Sequence, residues 1–340
     1  MRCHLLSAMI LGAILAALPA MAEEPPPPKA ATIATGLDAP LSVAIQPGSG
    51  GVFVAESGAG RIVRLTSDAS VEVVGGLPTA KGGSGKQAAT LGPWGLAFAD
   101  RNLLAIGCTV QTGGKTPVRL YDISSPAGKI AADKMKHGAS LAPAADKKNS
   151  SAGNIVGMVN DGAGHLVIAS SDVEHADRGW LGQIQATEEQ IGNIVPLVGT
   201  GGDQPSALTI SPRGEWVTAE SSATKLSHSL LKFYNPLSKK ELLRLDTGLR
   251  DVSGLAYSPR TGWLYATAPA QGKTEGGLFR LDRAMVDGKP GVKAVLVTKL
   301  ERPSGMVFAP NGALYVTLLG KTDSAGKEKS GSVVRLTGRM

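Results

Sequence analysis

Ser304-Gly305-Met306-Val307-Phe308-Ala309-Pro310-Asn311-Gly312-Ala313-Leu314-Tyr315-Val316-Thr317 is the stretch that decides the fold. Two short apolar runs flank Pro310-Asn311-Gly312, a tight-turn sequence, so the stretch reads as a β-hairpin. Its opening phrase is a small or polar residue, then Gly or a small residue, then alternating apolar residues. The phrase recurs as Leu41-Ser42-Val43-Ala44-Ile45, Trp94-Gly95-Leu96-Ala97-Phe98, Val156-Gly157-Met158-Val159, Ser206-Ala207-Leu208-Thr209-Ile210 and Ser253-Gly254-Leu255-Ala256-Tyr257. The copies are 47 to 62 residues apart. A tight turn such as Ser211-Pro212-Arg213-Gly214 follows, then a second strand such as Val52-Phe53-Val54-Ala55.

Each copy has a third strand: Arg61 to Leu65, Val118 to Ile123, Leu181 to Gln185, Leu230 to Tyr234, Leu278 to Leu281 and Val333 to Leu336. Most have a fourth, as at Val71 to Val74, Glu241 to Leu245 and Ala294 to Thr298. Repeats of about 50 residues, each of four antiparallel strands, define an all-β, six-bladed β-propeller. The last repeat lacks a fourth strand, and the chain offers an unassigned one at Ala31 to Thr35. Thr35-Gly36-Leu37-Asp38-Ala39-Pro40 aligns with Thr247-Gly248-Leu249-Arg250-Asp251-Val252 and Thr298-Lys299-Leu300-Glu301-Arg302-Pro303. The N-terminal strand is therefore expected to complete the last blade, closing the ring and removing two exposed edges.

Composition agrees with this reading. Of 340 residues, 42% are hydrophobic and 19% charged, with 44 Gly and 21 Pro, which excludes collagen, coiled coil and wholesale disorder. Residues 1–22 read as a signal peptide: Arg2, the apolar run Leu5 to Leu18, and Ala20-Met21-Ala22 as a small-residue cleavage site. Residues 23–29 form a Pro-rich linker and 30–338 the propeller. The expected location is outside the cytoplasm, periplasmic or extracellular, with no membrane span after signal cleavage. Cys3 leaves with the signal, so Cys108 has no partner for an intramolecular disulfide and reads as a small buried apolar residue. The net charge of +7 is scattered along the chain, and no basic run interleaved with aromatics indicates nucleic acid.

Pro40-Leu41-Ser42-Val43-Ala44, followed by Val52-Phe53-Val54-Ala55-Glu56-Ser57-Gly58-Ala59-Gly60-Arg61-Ile62-Val63-Arg64-Leu65, resembles an NHL repeat, and the later repeats are weaker versions of it. The resemblance spans residues 31 to 337 and implies the superfamily of gluconolactonase (regucalcin), strictosidine synthase and paraoxonase. That superfamily holds lactonases, lyases and binding modules, so the resemblance specifies fold more than chemistry.

The connections between second and third strands are long, as at Gly107 to Thr116 and Leu319 to Ser330, and so are the blade linkers Pro78 to Gly92 and Pro143 to Gly153. All open on one face, where binding is expected. Gly83-Ser84-Gly85-Lys86-Gln87 resembles a phosphate-binding loop, but Ala80 and Gln87 break the pattern and no helix follows. Neither a Gly-x-Ser-x-Gly elbow nor a His-Glu-x-x-His pair occurs. The quinone-dependent sugar dehydrogenases likewise find no supporting constellation.

Two groups of site residues emerge. Ser42, Trp94, Ser206, Ser253 and Ser304 precede the aligned Gly or small residue and face the axis, a mouth of hydroxyls with one indole suited to a neutral or sugar-like ligand. Glu56, Asp172, Glu174, His175, Glu220 and His228 are rim candidates for cation binding or acid–base work. The resemblance implies Asn and Asp where this chain has Ser253 and Ser304, so the calcium site of the lactonases is expected to be dismantled, with Asp38 as its remaining candidate ligand. The expected function is an exported propeller binding a small-molecule or protein ligand on the long-loop face, without metal or cofactor and with no catalytic residues identified. The alternative is a lactonase-type hydrolase or lyase with a divergent calcium-dependent site.

Overall fold

The computed structural model describes residues 26–82, 89–108, 116–125, 128–141, 153–171, 179–201, 203–222, 228–270, 275–286, 288–320 and 330–340. Among these none is helical, and the strands form six blades of a β-propeller. After β1 (Lys29–Leu37), blade one holds β2 (Pro40–Ile45), β3 (Val52–Glu56), β4 (Arg61–Leu65) and β5 (Ser70–Gly75). A small hairpin, β6 (Ala80–Gly82) and β7 (Ala89–Leu91), leads to blade two: β8 (Leu96–Phe98), β9 (Leu103–Gly107) and β10 (Val118–Asp122), then β11 (Ile130–Ala131) and β12 (His137–Ala139). Blade three is β13 (Asn154–Asn160), β14 (His165–Ser171), β15 (Trp180–Gln185) and β16 (Val195–Gly199). Blade four is β17 (Asp203–Ile210), β18 (Trp216–Ser222), β19 (Ser229–Tyr234) and β20 (Glu241–Asp246). Blade five is β21 (Gly254–Tyr257), β22 (Leu264–Ala268), β23 (Gly277–Val286) and β24 (Lys289–Lys299), and blade six is β25 (Pro303–Phe308), β26 (Leu314–Leu318) and β27 (Gly331–Thr337).

β1 lies outside β27 in the sheet order β1-β27-β26-β25, with Lys29 opposite Thr337 and Leu37 opposite Gly331. Two departures from the sequence reading stand out. β11 leaves its own blade and pairs in parallel with β5, so blade one carries a fifth strand supplied by blade two. The β23–β24 ribbon is also far longer than Leu278 to Leu281 and Ala294 to Thr298, because Gly288 adopts φ 74° and supplies a tight turn that lets the ladder run out to Val286 opposite Lys289.

The core lies between blades rather than within them. Middle strands such as β3, β9 and β22 are buried at every residue, since a neighbouring blade covers each face, and they therefore read as continuous apolar runs. Phe53 of blade one meets Phe98 of blade two edge-on at 5.2 Å, and Tyr265 of blade five meets Phe308 of blade six at 5.6 Å. The apolar clusters each join one blade to the next, and the last, with Val43, Val54 and Val333, joins blade six back to blade one. Cys108 sits fully buried between blades one and two, where desolvation pushes its thiol up to about 11.

Candidate functional site

The repeated Ser-Gly phrase has a mechanical cause at the axis. A side chain on Gly305 would sit 2.5 Å from the Leu41 carbonyl oxygen of the next blade, and one on Gly254 would sit 2.9 Å from the Ser304 carbonyl oxygen. Glycine permits that approach, and the preceding serine fastens it. Ser206 Oγ donates to the Val252 carbonyl at 2.6 Å, Ser253 Oγ to that of Pro303 at 2.9 Å, and Ser304 Oγ to that of Pro40 at 2.7 Å. Ser57 Oγ makes the corresponding link from blade one to the Pro93 carbonyl of blade two. Between blades two and three a main-chain bond, Gly95 N to Ile155 O at 2.9 Å, takes the same role.

The chain enters the innermost strands through a shared kink. Ala39, Asp251 and Arg302, each one residue before β2, before Val252 and before β25, adopt φ of 47°, 50° and 48°. Left-handed backbone at three non-glycine residues in matching positions marks a turn imposed by the ring, at a cost of about 1 kcal/mol or more each. These are also the positions that the sequence alignment of the three segments brings together.

Inside the six innermost strands lies an axial cavity of ≈ 530 Å³. Leu41, Val43, Met158, Leu208, Leu255 and Met306 give it apolar walls, and Trp94, Ser42, Ser206 and Ser253 stand at its long-loop end. None of the described residues that line it is Asp, Glu, Lys, Arg or His. Ser304 is not part of the lining; it is buried in the joint between blades six and one, where it also meets Thr317 Oγ1 at 2.8 Å. Sequence reasoning recognised the wall residues only as strand formers, since their inward direction depends on the ring.

Glu56 and Glu220 correct the sequence reading. They are strand residues rather than rim-loop residues, and both side chains are wholly buried. Each carboxylate is held by a base from the adjoining third strand. Glu56 accepts from Arg61 Nε at 2.7 Å and from the Asp38 amide at 2.8 Å, and the bond to Glu56 holds the Arg61 guanidinium above its ordinary pKa. Glu220 faces Lys232 at 2.8 Å, and its other oxygen accepts from Thr218 at 2.6 Å and Tyr234 at 2.9 Å. Lys232, also fully buried, reaches Asp203 at 2.7 Å and the Thr200 carbonyl at 3.2 Å. Burial pushes the Glu220 carboxyl up despite Lys232, and burial together with the Glu220 charge pushes the Tyr234 phenol up strongly. Lys232 was missed in the sequence, although one lysine inside Leu230-Leu231-Lys232-Phe233-Tyr234 is a signal that a buried acid waits opposite.

Of the other candidates, His228 pairs with Asp246 at 3.2 Å on the surface, and Asp172, Glu174 and His175 lie outside the described residues, as do Gly83 to Gln87. Asp38 packs close against Gly58, where an added Cβ would meet Oδ1 at 2.1 Å, and it does not line the cavity. Among the described residues no three His, Cys, Asp or Glu side chains come together as a metal site. With Ser253 and Ser304 donating to main-chain carbonyls, the mouth does not fit calcium, which needs several carboxylate or carbonyl oxygens aimed at one point. The described lining likewise holds no cationic side chain of the kind a polycarboxylate quinone requires.

No family model matches this chain, and no curated protein matches it. Solved structures do. An oxidoreductase (glucose dehydrogenase) chain from Thermus thermophilus superposes with a TM-score of 0.61 at 17% identity, covering 91% of this chain and 100% of its own. A gluconolactonase from Xanthomonas campestris gives 0.58 at 12% identity, over 93% and 95%. The PQQ-bound aldose sugar dehydrogenase of Streptomyces coelicolor gives 0.55 at 14%, over 92% and 100%. The chain thus shares the propeller fold of gluconolactonases and sugar dehydrogenases, and at these identities the likeness is one of fold.

Proposed function

We propose that the chain is an exported, ligand-binding propeller whose axial cavity takes an uncharged small molecule with a substantial apolar face, entering from the long-loop side. The observation that carries this reading is the cavity of ≈ 530 Å³, within the size range of small-molecule sites and free of ionisable side chains in its described lining. Walls of this kind reward apolar area and leave a charge without a partner, so they select neutral ligands. The Trp94 indole offers a stacking surface at the mouth, and the Ser42, Ser206 and Ser253 oxygens keep lone pairs to accept from a hydroxyl. Export is supported by Arg2, the apolar run and Ala20-Met21-Ala22.

The test is a titration of the mature protein with matched pairs of probes, an alkyl glycoside or lactone against its carboxylate, read by tryptophan fluorescence and thermal shift. Uncharged probes should quench Trp94 and raise Tm, with the fluorescence response absent in Trp94→Phe and the affinity lost in Leu41→Glu, which puts a charge at the wall without entering an apolar cluster. Preferential binding of the carboxylates, or an unchanged affinity in Leu41→Glu, would refute the reading.

A further inference from the structure

All third-to-fourth and first-to-second turns open on the face opposite the long loops, because successive strands of a blade alternate in direction. On that face, blades four and five differ from the rest. The β23–β24 ribbon continues for five ladder pairs past Leu281, the last residue of β23 that β22 covers, so its tip stands roughly 15 Å beyond the blade. At the tip Met285 is 68% and Val286 50% exposed. In blade four the matching turn, Asn235 to Lys240, carries Leu237 at 90% exposure. Asn235 Oδ1 accepts from the Leu237 and Ser238 amides at 2.9 Å, so Leu237 is presented by a built turn.

Basic residues surround these apolar tips. Arg283 and Lys289 flank Met285 and Val286, Lys239 and Lys240 follow Leu237, and Arg213 and Arg260 occupy the adjoining first-to-second turns. Lys239 is stacked 4.3 Å over the Trp216 ring, which fixes it beside its turn. Among the described residues the acids beside these tips are engaged, Glu241 with Arg244 at 2.9 Å, Asp282 with Arg280 at 2.6 Å and Glu215 with Ser211 at 2.6 Å, while Asp287, which follows Val286 in the sequence, lies outside the described residues. The adjoining blade three is acidic on this face, with Asp161, Glu188 and Glu189 in its turns, whereas the turns of blade two mix both signs.

From this arrangement we propose that the turn face of blades four and five docks on an anionic lipid surface, with Leu237, Met285 and Val286 inserted among the headgroups and the basic side chains against the phosphates. Isolated apolar residues on projecting tips, ringed by cations, suit a soft interface that admits them to a depth of about 5–10 Å. A second copy of the chain would instead require a broad complementary surface of roughly 1,200 Å² or more, and two separated tips do not offer one. The acidic turns of blade three would bound the contact on that side. The inference is independent of what the cavity binds.

The experiment is co-sedimentation of the mature chain with vesicles of phosphatidylglycerol and phosphatidylcholine, and with phosphatidylcholine alone. Binding should be confined to the anionic vesicles, weaken with salt, and fall at least about tenfold in Leu237→Asp/Met285→Asp and in Lys240→Glu/Lys289→Glu, both of which lie outside the core and should keep the wild-type Tm. Met285→Cys gives a second reading, since Cys108 is buried and a polarity-sensitive dye will label the tip; its emission should shift to the blue on anionic vesicles. No sedimentation, equal binding to neutral vesicles, equal binding by the variants or an unshifted dye would each overturn the proposal. So would self-association in ultracentrifugation that the tip variants abolish while vesicles remain unbound, which would assign the tips to a second copy.

Discussion

Replacing Lys232 by Met probes the least forgiving part of the molecule. In the native chain one buried ammonium serves two carboxylates, Asp203 at 2.7 Å and Glu220 at 2.8 Å, and ties the entry of blade four, through the Thr200 carbonyl, to its second and third strands. Methionine fills most of the lysine volume, so the loss is electrostatic. Asp203 retains Arg244 at 4.0 Å and some access to water, whereas Glu220 is wholly buried and keeps only its two hydroxyl donors. Breaking a buried pair by removing one partner costs about 3–5 kcal/mol, which for a domain of this size lowers Tm by roughly 5–8 °C.

The pH dependence of this penalty follows from Glu220. Burial raises its carboxyl in the folded chain above the ordinary value, so at intermediate pH the folded state holds a proton that the unfolded state has released. Its contribution to stability is complete below the unfolded value of about 4.3 and is lost as pH rises through the raised folded value. Lys232 opposes that loss by favouring the charged form. In Lys232→Met the folded carboxyl rises further, so the penalty should be largest at neutral pH and shrink toward pH ~5. Adding Glu220→Gln should recover most of it, because the amide carbonyl still accepts from Thr218 and Tyr234. Thermal unfolding followed by circular dichroism at the two pH values is the assay. A Tm within a degree or two of wild type at neutral pH, or a penalty unchanged by acid or by Glu220→Gln, would refute the reasoning.

Three further outcomes are expected. Gly305→Ala should destabilise the joint between blades six and one by about 2–4 kcal/mol, because the new Cβ meets the Leu41 carbonyl at 2.5 Å and backbone cannot swing aside, and denaturant titration will read it. Deleting residues 23–37 should strip β1 from β27 and lower Tm sharply, while deleting 23–28 should be nearly silent; equal Tm values would contradict a closing role for that strand. Cys108, with its thiol raised to about 11 by burial, should react with a thiol reagent at neutral pH only after unfolding, and fast labelling of the native chain would show the joint between blades one and two to be open.

What could be read from sequence was what neighbouring residues decide among themselves. The hairpin at Ser304 to Thr317, the six copies of its phrase, the continuous apolar middle strands and the strand left over before Pro40 all follow from side-chain alternation and turn chemistry within a few residues. The hydroxyls at the axis were legible as residues but not as contacts, because Ser304 spends its proton on Pro40, 264 positions away. Glu56 and Glu220 looked like loop acids because their partners, Arg61 and Lys232, lie on the next strand, and which acid each base meets is set by strand register rather than by adjacent residues. The neutral cavity was hidden for the same reason: Leu41, Met158 and Leu208 each read as ordinary strand residues, and only closure of the ring, which brings segments about 50 residues apart to within van der Waals reach, turns them into the walls of one space.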